Sequence, residues 1–94
     1  MEISEIKNLL VRIKDGYDPT YNEYISLKNI LLNEYCYEIT MIIIPPNFNI
    51  RSFYLVDIDC PNEKFLINTY DMDNIEGNTI LIDILEKFLE IYES

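Results

Sequence analysis

The sequence predicts an α+β domain with the element order α-α-β-β-β-α, in which two N-terminal helices and one C-terminal helix pack with a three-stranded antiparallel β-meander. Three apolar, β-branched runs follow one another at 36–44, 50–58 and 64–70, and their short connections contain Pro and Asn. Such connections favour hairpins, because a parallel neighbour needs a dozen or more linking residues. Apolar residues at helical spacing before and after the meander in the sequence predict the helices. We expect a single domain covering residues 1–94.

The first helix is predicted from an amphipathic segment that ends at Gly16. Its basic residues lie near its C-terminal end, where the helix dipole favours them. Glycine readily adopts the positive φ angle that is common just after a helix. The apolar residues at helical spacing are Ile3, Ile6, Leu9, Leu10 and Ile13.

A second helix is predicted in the segment 18–33, with two alternative start signals. In the first alternative, Asp18 caps the helix and Pro19 is its first residue. Alternatively, Thr20 caps a helix in which Glu23 completes a capping box. The apolar spacing that follows is irregular, so part of this segment could instead form a strand.

The third helix is predicted to begin at Asn78 or Thr79, either of which can cap it. The residues of its predicted buried stripe are Leu81, Ile84, Leu85, Phe88 and Tyr92. Its outward face carries the acids Asp83, Glu86, Glu90 and Glu93. Lys87 is the one base that interrupts this acidic row.

The two turns of the meander predict a strand register, with Ile44 opposite Ile50 and Asp59 opposite Lys64. One face then includes Ile39, Met41, Ile43, Phe53, Leu55, Leu66 and Tyr70. The other face includes Ile42, Ile44, Ile50, Tyr54, Val56, Ile58, Phe65 and Ile67. Because both faces are apolar, either the helices divide between them or one face is buried against a second molecule, which would make a homodimer.

Negative charge dominates the composition, with 17 Asp and Glu against 7 Lys and Arg and a formal net charge of −10. Residues 29–94 hold 12 of the acids and 3 of the bases, so this charge belongs to the sheet and the last helix. Direct nucleic-acid binding needs a cationic surface that replaces phosphate counterions, and an anionic membrane attracts basic residues. The composition therefore predicts no direct nucleic-acid or membrane binding and favours a basic protein partner.

The sequence favours a cytoplasmic protein with reduced thiols. No apolar run reaches the ~20 residues that span a bilayer, and acids occupy the N-terminal positions where a signal peptide is basic. Cys36 is predicted in a strand and Cys60 in a turn. Both are expected to be free thiols, because intracellular conditions keep cysteine reduced.

Motifs for catalysis and metal binding fail on inspection. The chain has no histidine, so it forms no Ser-His or Cys-His pair. The segment from Asp71 resembles the start of an EF-hand loop, but Glu76 stands where glycine is needed and Ile82 where a bidentate glutamate is needed. Asp57 and Asp59 share a strand face, and the predicted register places Asp71 roughly 17 Å away at ~3.4 Å per residue. We predict no enzyme activity, cofactor or metal site.

The acidic face of the last helix is the candidate binding surface. Its carboxylates step by three, four and three residues, which spaces them about 4.5–6 Å apart along the axis. Phosphates of one DNA strand recur on a comparable scale, about 3.4 Å of axis. With the acids of the preceding loop, the predicted partner-binding residues are Asp71, Asp73, Glu76, Asp83, Glu86, Glu90 and Glu93. The alternative is that this row is only the solvent face of an amphipathic helix.

A small acidic chain with this element order and an acid-bearing C-terminal helix resembles the phage-encoded anti-CRISPR proteins that block Cas9 by imitating DNA. The resemblance covers size, charge and element order over most of the chain and includes no shared motif; the second helix would be an addition. It implies stoichiometric inhibition of a nuclease effector complex. The contacts would come from carboxylates of the loop 71–76 and of the last helix.

The favoured interpretation is a non-enzymatic phage or viral inhibitor that blocks the nucleic-acid-binding surface of a basic host defence protein. The first alternative is a homodimeric structural or assembly protein that uses a sheet face, with charge serving solubility. The second is a toxin-neutralising immunity protein. Added salt should weaken a phosphate mimic steeply and an apolar interface little.

Overall fold

The computed structural model describes residues 1–93 and confirms the predicted α+β architecture. The elements are α1 (Ile3–Lys14), α2 (Tyr21–Tyr35), β1 (Tyr37–Ile43), β2 (Ile50–Asp57), β3 (Lys64–Asp71) and α3 (Thr79–Glu93). The strands form one antiparallel sheet in the order β1-β2-β3, as a meander requires. Within residues 1–93, no helix has the length and apolarity needed to cross a bilayer.

Local signals fix the ends of the first two helices. A capping box between Glu2 and Glu5 precedes α1, and Gly16 follows it with a φ angle of 107°. At the start of α2, the Glu23 N–H donates to the Thr20 hydroxyl (3.1 Å), and the Thr20 N–H donates to the Glu23 carboxylate (3.0 Å). The second of the two predicted start signals is therefore the one used, and the segment is a helix.

The prediction that Cys36 lies in a strand is wrong. Cys36 is the C-cap of α2, in the left-handed conformation with φ 62° and ψ 32°, and its N–H donates to the Leu32 carbonyl. Most helices that end in this conformation have glycine at this position. Because Cys36 is not glycine and is followed by an apolar run, the sequence does not mark the end of α2. Cys60 lies in the β2–β3 connection as predicted, where its N–H donates to the Asp57 carbonyl. Both thiols are free.

Replacing Cys36 with glycine should stabilise the protein. The left-handed conformation costs about 1–2 kcal/mol for a residue with a Cβ atom, and glycine avoids this cost at the expense of greater freedom in the unfolded chain. We expect C36G to raise the free energy of unfolding in urea by about 0.5–1 kcal/mol. C36A is the matched control, because alanine removes the thiol and keeps the Cβ. Equal stabilisation by both variants would contradict the backbone explanation.

The register of β1 on β2 is the predicted one. The Ile44 N–H donates to the Ile50 carbonyl (2.9 Å), and at the other end Tyr37 lies opposite Asp57. The Pro-Pro-Asn-Phe-Asn connection sets this register because it leaves no freedom to slide the strands.

The predicted register of β3 on β2 is wrong. Lys64 lies opposite Val56 instead of Asp59. Two consecutive turns meet at Cys60, whose N–H closes the first and whose carbonyl accepts from the Glu63 N–H (2.8 Å) in the second. The connection is therefore longer than the single turn expected from the sequence.

A β-bulge then interrupts β3. Tyr54 lies opposite Leu66, but the next residue of β2, Phe53, lies opposite Asn68. Ile67 is the extra residue between these two pairs. A bulge shifts the alternation of side chains by one position, so the two halves of β3 follow different registers.

The register and the bulge together decide which side chains of β3 face the helices. Phe65 lies opposite Leu55 and, with Ile67, packs against the core. Leu66 lies on the other face. The predicted faces of these three β3 residues were therefore wrong. Tyr70 keeps its predicted face beside Phe53 because the bulge restores the alternation.

All three helices lie on one side of the sheet, where α2 contacts β1, α3 contacts β3, and α1 packs on α3. The core joins buried residues of α1, α2 and α3 to Leu55 of the central strand, with Tyr37 and Ile39 packed against it. No buried residue of this core lies on the opposite face, which we call the open face. The pairing places Glu38, Thr40, Ile42, Ser52, Tyr54, Val56, Lys64, Leu66 and Thr69 there. The alternative in which the helices divide between the two faces is thereby excluded.

Candidate functional site

Helix α1 supplies cations to the acidic row of α3. The Lys7 Nζ lies 2.6 Å from a Glu93 carboxylate oxygen, and the Lys14 Nζ lies 2.6 Å from one of Glu86. In each helix the two residues are seven positions apart, about two turns, so the antiparallel helices form both ion pairs in one register. Two of the predicted binding residues therefore already have partners within the chain.

The other two acids of the row also have internal partners. The Lys87 Nζ lies 3.6 Å from a Glu90 carboxylate oxygen on the same helix. The Tyr70 hydroxyl donates to the Asp83 carboxylate (2.7 Å). Burial, this hydrogen bond and the Asp83 charge together raise the pKa of Tyr70, so its hydroxyl stays a donor. Three acids of the predicted row are therefore in ion pairs, and Asp83 keeps its charge beside a neutral hydroxyl.

The remaining predicted residues lie at the end of β3 and in the loop that follows it, and within residues 1–93 none of their carboxylates takes part in an ion pair. Asp71 accepts from the Asp73 N–H (3.1 Å) and from Asn74 Nδ2 (2.7 Å). Asp73 accepts from Asn49 Nδ2 (2.7 Å), which lies in the β1–β2 connection. Glu76 is exposed. Amide donors fix two of these carboxylates in place without neutralising them, because an amide carries no charge.

Two further acids lie at the same end of the molecule. Asn78, which follows the loop, donates to the Asp18 carboxylate (3.1 Å) and so ties the α1–α2 connection to the start of α3. Asp15, the C-cap of α1, lies just before this connection. We call this surface the loop end, and its carboxylates are Asp15, Asp18, Asp71, Asp73 and Glu76. Within residues 1–93, none of them takes part in an ion pair.

Glu23 lies at the start of α2 and is held more firmly than these acids. The Tyr17 hydroxyl donates to its carboxylate (2.7 Å), and the Arg12 guanidinium lies 4.2 Å above the Tyr17 ring. The hydrogen bond from Tyr17 is the main reason that the pKa of Glu23 is lowered, and the same bond raises the pKa of Tyr17. This carboxylate is engaged in capping α2 and is a poor candidate for a partner contact.

A second acidic cluster lies at the opposite end of the sheet, in the β2–β3 connection. Ligand atoms of Asp57, Cys60 and Glu63 lie within 4.8 Å of one another. The sequence analysis did not include Cys60 here, because only the two consecutive turns bring it beside Asp57 and Glu63. Asp57 accepts from the Asp59 N–H (2.9 Å), as in an ordinary Asx turn. Two of the three side chains are exposed, so we assign no metal to them.

The two acidic clusters cannot form one catalytic centre. Asp71 lies opposite Ile50, at the far end of β2 from Asp57. Seven residues of strand separate those positions, which is roughly 24 Å at ~3.4 Å per residue. A general acid and a general base must both reach one substrate, so this separation argues against a shared site.

A groove of about 480 Å³ lies between α1 and α2. Apolar side chains of Leu9, Leu27 and Ile30 line it, and Arg12 lies at its rim. A smaller cleft of about 290 Å³ lies near the loop end, where Tyr21 and other residues of α2, β2 and α3 line it. The lining of the groove also includes the carboxylates Glu5 and Glu23, of which Glu23 is engaged in capping α2.

Comparison with known proteins gives no relative: no family model, no curated protein and no solved structure matches this chain. The resemblance to DNA-mimicking anti-CRISPR proteins therefore rests on size, charge and element order, and it remains a hypothesis.

Proposed function

We propose that this protein is a non-enzymatic inhibitor that binds a basic, nucleic-acid-binding surface of a host defence protein in the cytoplasm. The observation that carries the proposal is the loop end, where five carboxylates lie outside any ion pair of residues 1–93 in a chain of net charge −10. Fixed negative charge of this kind attracts a cationic groove and speeds the encounter with it.

Hydrogen bonds support the rigidity that a phosphate mimic needs. Three separate connections meet at the loop end, since Asn49 holds Asp73 and Asn78 holds Asp18. Side chains that are already ordered lose less conformational entropy when they bind. The carboxylates of Asp18, Asp71 and Asp73 are therefore better placed to replace DNA phosphates than acids on free side chains would be.

The acids of α3 take a secondary part in this proposal. Glu86 and Glu93 are about half exposed, and exposed ion pairs contribute only about 0–1 kcal/mol to stability. An arginine of the partner could therefore replace Lys14 or Lys7 at small cost. The loop end needs no such exchange, so we place the main contact there.

Removing charge from the loop end should weaken partner binding much more than removing equal charge elsewhere. The test variant is D15N/D73N/E76Q, in which the new amide at position 73 still offers an oxygen to Asn49. The control variant D57N/D59N/E63Q loses the same charge at the other end of the sheet, and its new amide at position 57 still offers an oxygen to the Asp59 N–H. Each chain is immobilised and exposed to nuclease-treated host lysate; bound protein is eluted with duplex DNA and quantified by mass spectrometry. We expect capture by the test variant to fall by about tenfold or more, as for charges at an electrostatic interface.

The proposal also predicts the salt response of the captured partner. Its affinity for the purified wild-type chain should fall by about tenfold or more when NaCl is raised from roughly 0.1 to 0.3 M, because screening shortens the reach of the charges. A partner that duplex DNA does not displace would contradict the proposal, as would equal losses in the test and control variants. A DNA-displaced toxin would instead favour the immunity-protein alternative.

A further inference from the structure

We propose that the open face of the sheet is the interface of a homodimer, in which two copies stack face to face about a two-fold axis parallel to the strands. This inference does not rest on the proposed function. The open face lies opposite all three helices, and its side chains Ile42 and Leu66 are 44% and 49% exposed. Tyr54 lies between them on the central strand. An apolar strip of this kind is typical of an interaction surface.

Two hydroxyls of the open face are suited to burial. The Ser52 and Thr69 hydroxyls hydrogen-bond to each other across β2 and β3 (2.7 Å). Their hydrogen bond would survive removal of water, whereas an unsatisfied hydroxyl would oppose it. Val56 and Ser52 are already 8% and 4% exposed between the two edge strands. Dehydrating the face therefore mainly buries Ile42, Tyr54 and Leu66.

Charge on the open face points to a second copy of the chain as the occupant. Glu38 on β1 and Lys64 on β3 both lie opposite Val56, so they flank it from the two edges. Their backbones are roughly 10 Å apart, at ~4.8 Å per strand, and within residues 1–93 no ion pair joins their side chains. Asp71 lies at the far end, where its carboxylate is held by the loop. The rest of the face is thus neutral in a chain of net charge −10, and an occupant should offer a base to Glu38 and an acid to Lys64.

A two-fold axis parallel to the strands satisfies both requirements with one operation. It places β1 of each copy over β3 of the other, so that Glu38 faces Lys64 twice. Tyr54 and Val56, on the central strand, lie near the axis and meet their own counterparts. An axis across the strands would instead place β1 over β1 and leave both charges without an opposite. Isologous contacts and aligned sheets at about −30° are common in sheet-on-sheet packing.

The size of the face sets the expected affinity. Three strands of seven residues cover roughly 14 × 24 Å at the usual strand spacing and rise. A standard stable interface buries about 800 Å² on each partner, and this face is smaller. We therefore expect a dimer that forms in the micromolar range. Because each copy carries a net charge of −10, added salt should tighten the dimer by screening the repulsion between copies. A basic partner should show the opposite response to salt.

Sedimentation equilibrium on purified full-length chains tests the dimer, at about 0.3 M NaCl to screen the net charge. The variant L66E places a charge in the apolar strip of the open face, on β3, at a position that is already 49% exposed. The control V11E adds the same charge on α1, where Val11 is 57% exposed. We expect L66E to raise the dimer dissociation constant at least tenfold and V11E to leave it within about twofold. Circular dichroism checks that both remain folded.

A charge exchange tests the axis itself. K64E places two Glu–Glu contacts in the proposed dimer and should weaken it, and the added E38K change should restore it at the original net charge. A monomeric wild-type chain across the micromolar range would overturn the proposal. So would equal effects of L66E and V11E, or a double variant no tighter than K64E. None of these outcomes depends on a basic partner, so the proposed function can fail while the dimer stands.

Discussion

Replacing Phe88 with alanine is expected to lower the free energy of unfolding by about 3–5 kcal/mol. Phe88 is 0% exposed, and its ring centroid lies 5.2 Å from that of Tyr35 and 5.9 Å from that of Tyr37, both edge to face. It thus joins α3 to the end of α2 and the start of β1. A domain of this size is stable by about 5–14 kcal/mol, so the change removes a large share of the total. Urea denaturation at neutral pH measures it.

The control for this prediction is F48A. Phe48 lies in the β1–β2 connection and is 74% exposed, so truncating it should cost less than about 0.5 kcal/mol. Both variants remove the same atoms, and only their surroundings differ. Equal losses of stability would mean that the aromatic cluster around Phe88 does not hold α3 to the sheet.

Alkaline pH is expected to destabilise the protein steeply. Desolvation is the main cause that raises the pKa of Tyr24, Tyr35, Tyr37 and Tyr70 in the folded state, with the Asp83 carboxylate adding to it at Tyr70. An unfolded tyrosine ionises near pH 10. Below that pH the contribution of these residues to stability is complete, and above it the unfolded state loses protons that the folded state keeps. Stability therefore falls as pH rises through about 10 toward the folded-state pKa values.

Tyr70 should account for a measurable part of this alkaline loss. Y70F removes the ionisable hydroxyl and its hydrogen bond to Asp83, so it should be less stable than wild type by about 1–2 kcal/mol at neutral pH. Its stability should then fall less steeply above pH 10, by up to ~1.4 kcal/mol per pH unit for one proton. D83N is the control, because it keeps an acceptor for Tyr70 and leaves the burial that is the main cause of the raised pKa. Urea denaturation at closely spaced alkaline pH values distinguishes the variants. A Y70F profile parallel to that of wild type would refute the role of Tyr70.

The element order was predictable because each element carries its own local signal. The Thr20–Glu23 capping box and Gly16 mark helix ends through hydrogen bonds and backbone angles that involve only neighbouring residues. The β1–β2 register was equally accessible, because one short connection determines it. Neither inference needs knowledge of a distant contact.

The β2–β3 register was not predictable in this way. Two turns that meet at Cys60 and a bulge at Ile67 depend on which side chains the helices need from β3. Phe65 faces the core opposite Leu55 only because the connection is longer than its residues indicate. Packing across the molecule decides between registers that local sequence leaves nearly equal in energy.

The same distinction between local sequence and long-range packing applies to the candidate site. The loop acids Asp71, Asp73 and Glu76 were predicted from their clustering, and within residues 1–93 they take part in no ion pair. The spacing of the acids on α3 predicts the acidic row, but it does not predict that α1 packs beside this row. The missed signal was the seven-residue separation of Lys7 and Lys14, which matches that of Glu86 and Glu93. Matching separations of opposite charge on two amphipathic helices would have indicated that they pack together.

The bulge at Ile67 has a consequence for how the length of this chain can change. Phe65 and Tyr70 both face the helices only because one unpaired residue stands between them. If one residue were deleted from β3, only one of the two side chains could keep its position: either Phe65 opposite Leu55 or Tyr70 beside Phe53. An added amino acid would pose the same conflict. In chains related to this one, we therefore expect insertions and deletions in the turns and a constant length of β3.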